Sequence, residues 1–212
     1  SELEKHLIMH FPEVKEALYS RCAILVEGET EYGAFSWFAL SMGVNPDYYG
    51  ICLINARGES SISRISQLLK RFHIPSVCLY DRDVISHHQP SDYIFYTDGI
   101  CFEMDVVNSC IDRGKRAILD AVIQDTFEGN VLVSSSMAKK ACQKLGLPKQ
   151  HPSRKLTHIS GRDTKALKFY YFAWLFNNKG VIIGRSLGIH MGPDDIPPAF
   201  RNVILAAVKH AE

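Results

Sequence analysis

Two largely apolar pentapeptides constrain this chain more than any other feature: Cys22-Ala23-Ile24-Leu25-Val26 and Ser76-Val77-Cys78-Leu79-Tyr80. Neither alternates apolar with polar residues, which is the pattern of a strand covered on both faces in a parallel sheet. Each run ends in acids, Glu27-Gly28-Glu29-Thr30-Glu31 after the first and Asp81-Arg82-Asp83 after the second. The carboxyl ends of parallel strands meet at the crevice where open α/β sheets bind their ligands. Carboxylates gathered there repel one another unless cations neutralise them. The pattern therefore predicts divalent metal ions, held for chemistry.

The residues around these runs predict a β-α-β-α-β order. A helix carrying Leu3, Leu7, Ile8, Phe11, Val14 and Leu18 precedes the first strand. Thr30 or Glu29 caps a second helix running to about Met42, and Gly43 closes it. Tyr49 to Ile54 forms the next strand, and Asn55-Ala56-Arg57-Gly58 a turn. Ser60 or Ser61 then starts a helix with Ile62, Ile65, Leu68, Leu69 and Phe72 on one face. Short connections and right-handed crossovers place such strands side by side.

Beyond Asp83 the pattern becomes helical. His87-His88-Gln89-Pro90 reads as a loop and Asp92 to Tyr96 as a short strand. Helices follow at Glu103 to Ile111, Ile118 to Phe127, Ala138 to Leu145 and Lys165 to Asn177, with a polar loop from Pro148 to Ser160. Gly184-Arg185-Ser186-Leu187-Gly188 reads as a helix-to-turn region, and Ala199 to Ala211 as a last helix. The expected fold is α/β, a central, mostly parallel sheet flanked by helices, with a small helical lobe. Its expected division is a core over 1–100, a mainly helical lobe over 101–177 and a return to the core over 178–212.

Hydrophobic residues at 46% and charged residues at 22% fit a soluble chain with a buried core. No stretch approaches the ~20 apolar residues of a membrane span. The N-terminus lacks the order of a signal peptide. Six cysteines without a Cys-x-x-Cys pair argue against a zinc or disulfide framework and point to a reducing cytoplasm. The missing initiator Met suggests a processed product or an expressed fragment. A net charge of +1 conceals an asymmetry. Acids outnumber bases up to Asp83, whereas Lys139 to Lys168 hold nine Lys or Arg and one acid, Asp163. One part of the chain suits cations and another suits anions.

At the acidic end, Gly28 lets the backbone turn sharply after Glu27. Glu31 falls in the first turn of the next helix and points back over the crevice. Asp81 and Asp83, two residues apart in an extended segment, project to the same side. Taken singly, Glu29 and Glu31 are ordinary helix-start acids, worth ~0.3–1 kcal/mol against the dipole. Taken together after adjacent strands, the acids offer hard oxygen ligands that suit Mg²⁺ or Mn²⁺ rather than zinc. They suffice for two ions, which in two-metal phosphodiester chemistry sit ~3.5–4 Å apart.

The run Ile24-Leu25-Val26-Glu27-Gly28-x-x-Glu31, followed after a βαβα unit by Cys78-Leu79-Tyr80-Asp81-x-Asp83, resembles the TOPRIM domain. Ile54-Asn55-Ala56-Arg57-Gly58 and Phe72-His73-Ile74-Pro75 bring it nearest to the OLD (overcoming lysogenisation defect) family, in which an ABC-type ATPase precedes a TOPRIM nuclease. The resemblance is dense over 22–83 and thinner afterwards. The chain has no Gly-x-x-x-x-Gly-Lys-Ser/Thr phosphate loop, so the resemblance implies the carboxy-terminal nuclease part, with its partner ATPase domain on the same full-length protein. A monomeric fragment is compatible with that.

The resemblance assigns metal binding to Glu27, Glu31, Asp81 and Asp83, completed by a later acid and a lysine. The acid is Glu103 or, as runner-up, Asp105; the lysine is Lys179 in Asn177-Asn178-Lys179-Gly180. Glu29 is expected to be exposed. The implied activity is metal-dependent DNA endonuclease action by a two-metal mechanism. Lys179 stabilises the negative charge of the transition state, while Glu27 either ligates metal or takes the nucleophile's proton. Lys139, Lys140, Lys144, Lys149, Arg154, Lys155 and Arg162, with Lys165 and Lys168 nearby, would hold the DNA backbone without reading bases. The aromatic residues of 169–176 are expected in the core rather than stacked on bases. The alternative is a non-catalytic TOPRIM module mediating DNA or protein assembly; such modules often lack part of the acidic set, which is complete here.

Overall fold

The computed structural model describes residues 12–129, 131–148 and 151–212. β1 (Cys22–Val26) is buried along its whole length because it lies inside a four-stranded sheet of order β2-β1-β3-β4. β2 spans Ile51–Asn55, β3 Ser76–Tyr80 and β4 Ile94–Tyr96. All three pairings are parallel. β1 meets β2 from Cys22↔Ile51 to Val26↔Asn55, and β3 from Ala23↔Ser76 to Leu25↔Cys78. Every strand therefore leaves the sheet at the same edge, which gathers the residues after Val26, Asn55 and Tyr80. The helices are α1 (Pro12–Ala17), α2 (Glu29–Ser41), α3 (Pro46–Tyr49), α4 (Glu59–Arg71), α5 (Phe102–Asp112), α6 (Arg116–Thr126), α7 (Ser135–Leu145), α8 (Thr164–Asn177), α9 (Val181–His190) and α10 (Pro198–Ala211).

Alternation along β1 sorts the core into two halves. Ala23 and Leu25 join Ile62, Ile65 and Leu69 of α4 and Val14 of α1 on one face. Cys22, Ile24 and Val26 join residues of α2, α5 and α10 on the other. There Phe38, Phe102 and Phe200 form a ring cluster, with Phe102 stacked on Phe200 at 4.8 Å. The second core runs on without a break into α6, α7 and α8. Phe169, Tyr170, Tyr171, Phe172 and Trp174 are buried in it, so these rings pack the interior.

Several local expectations change. The part of the N-terminal helix expected at Leu3, Leu7, Ile8 and Phe11 lies outside the described residues. Tyr49 belongs to the short α3 rather than to the second strand. α2 is capped at Gly28 and α4 at Gly58, neither with a side-chain hydrogen bond, in place of the serine, threonine and glutamate caps anticipated. The polar stretch 148–160 contains β6 (Arg154–Lys155), paired antiparallel with β5 (Leu132–Val133), and a 3₁₀ turn at Leu156–His158. Arg116 anchors that turn, its guanidinium donating to the Leu156 and Ile159 carbonyls at 3.0 and 3.1 Å. Among the described residues no helix is long and apolar enough to cross a membrane.

The largest change concerns 184–188, which is helical throughout within α9. Its glycines serve close approach, not a turn. A Cβ on Gly184 would lie 1.9 Å from the Thr30 carbonyl oxygen, and one on Gly33 of α2 would lie 2.2 Å from that of Val181. α2 and α9 thus touch backbone to backbone. Gly184→Ala is expected to destabilise the protein by roughly 1–3 kcal/mol through overpacking, read as a lower urea midpoint at unchanged slope. An unchanged midpoint would mean that the two helices separate without cost.

Candidate metal centre

The first wall of the site follows from how β1 ends. After Val26 the Ala56 amide donates to the Val26 carbonyl and the Gly58 amide to the Glu27 carbonyl, both at 2.9 Å. The exit of β2 is thereby tied to the exit of β1, and Glu27 is held at the sheet edge. Glu31, one turn into α2, is buried and folds back over Gly28, where a Cβ would stand 2.9 Å from its Oε2. Glycine at 28 therefore makes room for the second carboxylate. Glu29 points to solvent.

The second wall follows from β3. Buried Asp81 accepts a hydrogen bond through Oδ1 from the Phe102 amide at 3.2 Å, at the start of α5. The Phe102 ring is fixed in the aromatic cluster, so packing aims that amide. Between the two aspartates, the Arg82 amide donates to Thr97 Oγ1 at 2.9 Å and its guanidinium to the Thr97 carbonyl at 3.1 Å. The arginine is thus turned to the end of β4, and Asp83 lies in a 3₁₀ turn (Arg82–Val84) rather than in the extended segment expected, so that it is Lys144 that brings the two carboxylates to one side.

α5 sets the two candidate acids apart. Glu103 is wholly buried, and its Oε1 lies 2.9 Å from Lys179 Nζ. Asp105, two positions on, faces a different direction, as helical geometry requires. Its carboxylate accepts from the Asp98 amide at 2.7 Å and from the Gly99 amide. Its charged neighbours are Asp98 and Arg82, so it braces the 97–99 loop. Lys179 precedes α9, and the adjacent Gly180 amide donates to Thr30 Oγ1 at 3.1 Å. Its ammonium also lies 5.0 Å from the Phe176 ring.

One further cation enters the site. Lys144, on α7, donates to Asp83 Oδ2 at 2.6 Å and lies 3.7 Å from Asp81 Oδ2. Anticipated as a backbone contact for DNA, this lysine instead sits against the acids. No local pattern in the sequence signals that. Thr30, expected as a helix cap, and Thr97, which no pattern marks, instead accept hydrogen bonds from the distant Gly180 and Arg82 amides.

The charges feel one another. Burial raises the Glu31 pKa to about 8, with Glu103 and Asp81 adding repulsion. Burial, then Glu27 and Glu103, raises Asp81 to about 7. Glu27 is raised by burial and by Asp83, against the pull of the Asp81 amide, Lys144 and Lys179. For Lys179 burial opposes the charged form, but Glu103 and Glu31 outweigh it and the pKa rises. Lys144 is raised in the same way by Asp83 and Asp81.

These acids want more positive charge than two ammonium groups supply. Glu27 Oε2 and both oxygens of Glu103 are buried without a hydrogen-bond donor, Lys179 meeting Glu103 as an ion pair outside hydrogen-bond geometry. Oxygen-only donors, some orphaned and others raised in pKa by burial and mutual repulsion, fit a hard divalent cation, which binds them in their ionised form. Among the described residues no three Asp, Glu, His or Cys side chains stand ready-made around one point. A cation has to draw them together, and at Asp83 it meets Lys144.

The other basic residues expected to hold DNA differ in their surroundings. Lys139, Lys140, Lys155, Arg162 and Lys165 are exposed. Arg154 stacks over the Tyr170 ring at 5.8 Å, and Lys168 pairs with Asp112 at 2.7 Å. Lys149 lies outside the described residues.

Residues 18–83 match the family described as overcoming lysogenization defect protein-like, TOPRIM domain. The fold as a whole is similar to the C-terminal region of the Burkholderia pseudomallei OLD protein, at 17% identity and a TM-score of 0.55, covering 92% of this chain and 100% of that one. It is similar also to the C-terminal region of the Xanthomonas campestris pv. campestris OLD protein, at 16% identity and a TM-score of 0.60, covering 92% and 96%. No curated protein sequence matches the chain.

The raised carboxylates set a pH dependence. Unfolded, Glu31 and Asp81 ionise near their ordinary 4.5 and 3.8; folded without metal, they keep their protons to about 8 and about 7. Between those limits the folded state binds more protons than the unfolded one, so its stability falls as pH rises. The melting temperature of chelator-treated protein is expected to drop from pH 5 to pH 8.5, and Mn²⁺ to remove most of the drop. A flat profile without metal would show that the acids are not mutually repelling.

Proposed function

We propose that this chain, whose residues 18–83 are a TOPRIM domain of the OLD-like family, is a metal-dependent DNA endonuclease acting through Glu27, Glu31, Asp81, Asp83 and Glu103. The observation that supports the reading is the mutual repulsion of these acids, brought within range of one another from the ends of two adjacent parallel strands and the start of α5, with oxygens of Glu27 and Glu103 buried without donors. The alternative of a non-catalytic assembly module requires no such frustrated set. The solved relatives are themselves named as C-terminal regions; we place this chain likewise, behind an ATPase domain of a longer protein.

Mg²⁺ or Mn²⁺ held by these carboxylates would supply Lewis acidity to activate water and to neutralise the leaving 3′ oxygen. The protein's own part is to fix the donors. The Phe102 amide orients Asp81, Gly28 seats Glu31, and the Thr97 contacts keep Arg82 out of the crevice. Glu27, its pKa raised, is either a ligand or the acceptor of the nucleophile's proton. Lys179, charged against Glu103, offers electrostatic stabilisation of the extra negative charge on the phosphoryl group. Lys139, Lys140, Lys155 and Arg162 present exposed charge for the DNA backbone.

Supercoiled plasmid incubated with Mn²⁺ or Mg²⁺ is expected to be nicked by the wild type. Asp81→Asn and Asp83→Asn should each lose about a hundredfold or more in rate while melting no lower than the parent. Full cutting by both would sink the assignment, and DNA bound but uncut by the wild type would favour the assembly module. Separately, Glu at 139, 140 and 155 should weaken DNA binding and lower the slope of log affinity against log salt by roughly 3. An unchanged slope would remove this face from the interface.

A further inference from the structure

Lys144 is out of place for a surface lysine. It belongs to α7, whose buried side, Ala138, Ala141 and Cys142, packs in the core that contains α8. Its neighbours on that helix, Lys139 and Lys140, are exposed. Yet its side chain is only 21% exposed, and its ammonium bridges the two aspartates at the end of β3. Helix and strand end are joined there across a sequence separation of 61 residues. The ammonium lies where a cation drawn to Asp81 and Asp83 would have to sit. Lys179, the other lysine, pairs with Glu103 instead and leaves that wall free.

We propose that Lys144 is an exchangeable internal counter-ion: its ammonium neutralises Asp81 and Asp83 when no divalent cation is bound and is displaced when one enters. The inference rests on the metal-site reading above and adds to it a residue that competes with metal. Three consequences follow from the geometry. Metal binds more weakly than the carboxylate count alone implies, because an ion pair must break first. The metal-free protein is protected from the full repulsion of its acids. And the displaced ammonium, still protonated, returns to the side of α7 that carries Lys140, four residues back on the same face, where it becomes available to a phosphate.

Lys144→Met keeps the apolar stem and removes the charge. Calorimetric Mn²⁺ titration of the whole chain is expected to show about tenfold tighter binding than wild type. The metal-free variant should melt below wild type, and saturating Mn²⁺ should bring the two melting temperatures together. Lys144→Arg, which retains charge, should restore weak binding. Equal or weaker Mn²⁺ affinity in Lys144→Met overturns the exchange while leaving the carboxylate site intact. Failure of both proteins to take up Mn²⁺ overturns the metal-site reading and the exchange with it. A second measurement needs no substitution: in ¹⁵N-labelled wild type, the slowly exchanging Lys144 ammonium signal should vanish on addition of Mg²⁺. Its persistence at saturating Mg²⁺ would overturn the proposal even if the variant failed to fold.

Discussion

The register between β1 and β3 is the constraint on which the rest of the molecule depends. Leu25 pairs with Cys78 in parallel, so the two chains leave the sheet in step and their terminal acids face one another. A slip of one residue would invert every side chain of the strand relative to the core. Val26 would then lose the apolar face it shares with Phe38 and Phe102, and Ala23 would be forced against α2 rather than α4. Apolar packing on both faces therefore locks the register, and the register sets the site. The carboxylates are close because hydrophobic burial leaves them no alternative.

Such closeness is unfavourable in itself, and the surrounding structure answers it in three ways. The Phe102 amide shares the charge of Asp81. Two lysines, each from a different helix environment, place ammonium groups on opposite walls. The remainder is met by protonation, with Glu31 and Asp81 lifted toward neutral pH. None of these satisfies Glu27 Oε2 or the second oxygen of Glu103. A buried polar atom without a partner costs about 1–3 kcal/mol, a penalty that a folded protein retains where function needs it.

How much of this was legible in the sequence depends on the range of the interaction. The strands at 22–26 and 76–80 were legible because a buried parallel strand is written in consecutive apolar residues. Glu27, Glu31, Asp81 and Asp83 were legible as acids attached to those strands. Glu103 and Asp105 could not be separated, since their directions depend on where α5 begins, and a shift of one residue there rotates both. Gly184 and Gly188 make 184–188 read as a helix-to-turn region because glycine serves both bends and close contacts, and only the neighbouring helix distinguishes them. Lys144 was legible as a basic residue on a helix but not as a partner of Asp83, since nothing local orients α7 toward the sheet edge.

The backbone contact between α2 and α9 has a mechanical meaning. Thr30 receives the Gly180 amide, and Gly184 seats against the same residue, so Lys179 stands just ahead of a helix held backbone to backbone against the one bearing Glu31. Lys144 is carried on α7, which is tied instead to α8, the Asn177 side-chain amide donating to the Met137 carbonyl at 3.2 Å beside the buried Ala138, Ala141 and Cys142. The two ammonium groups thus enter the crevice from different packing units, one braced on α2 and one on α8. Asymmetry between the two halves of the crevice is built into the helix packing.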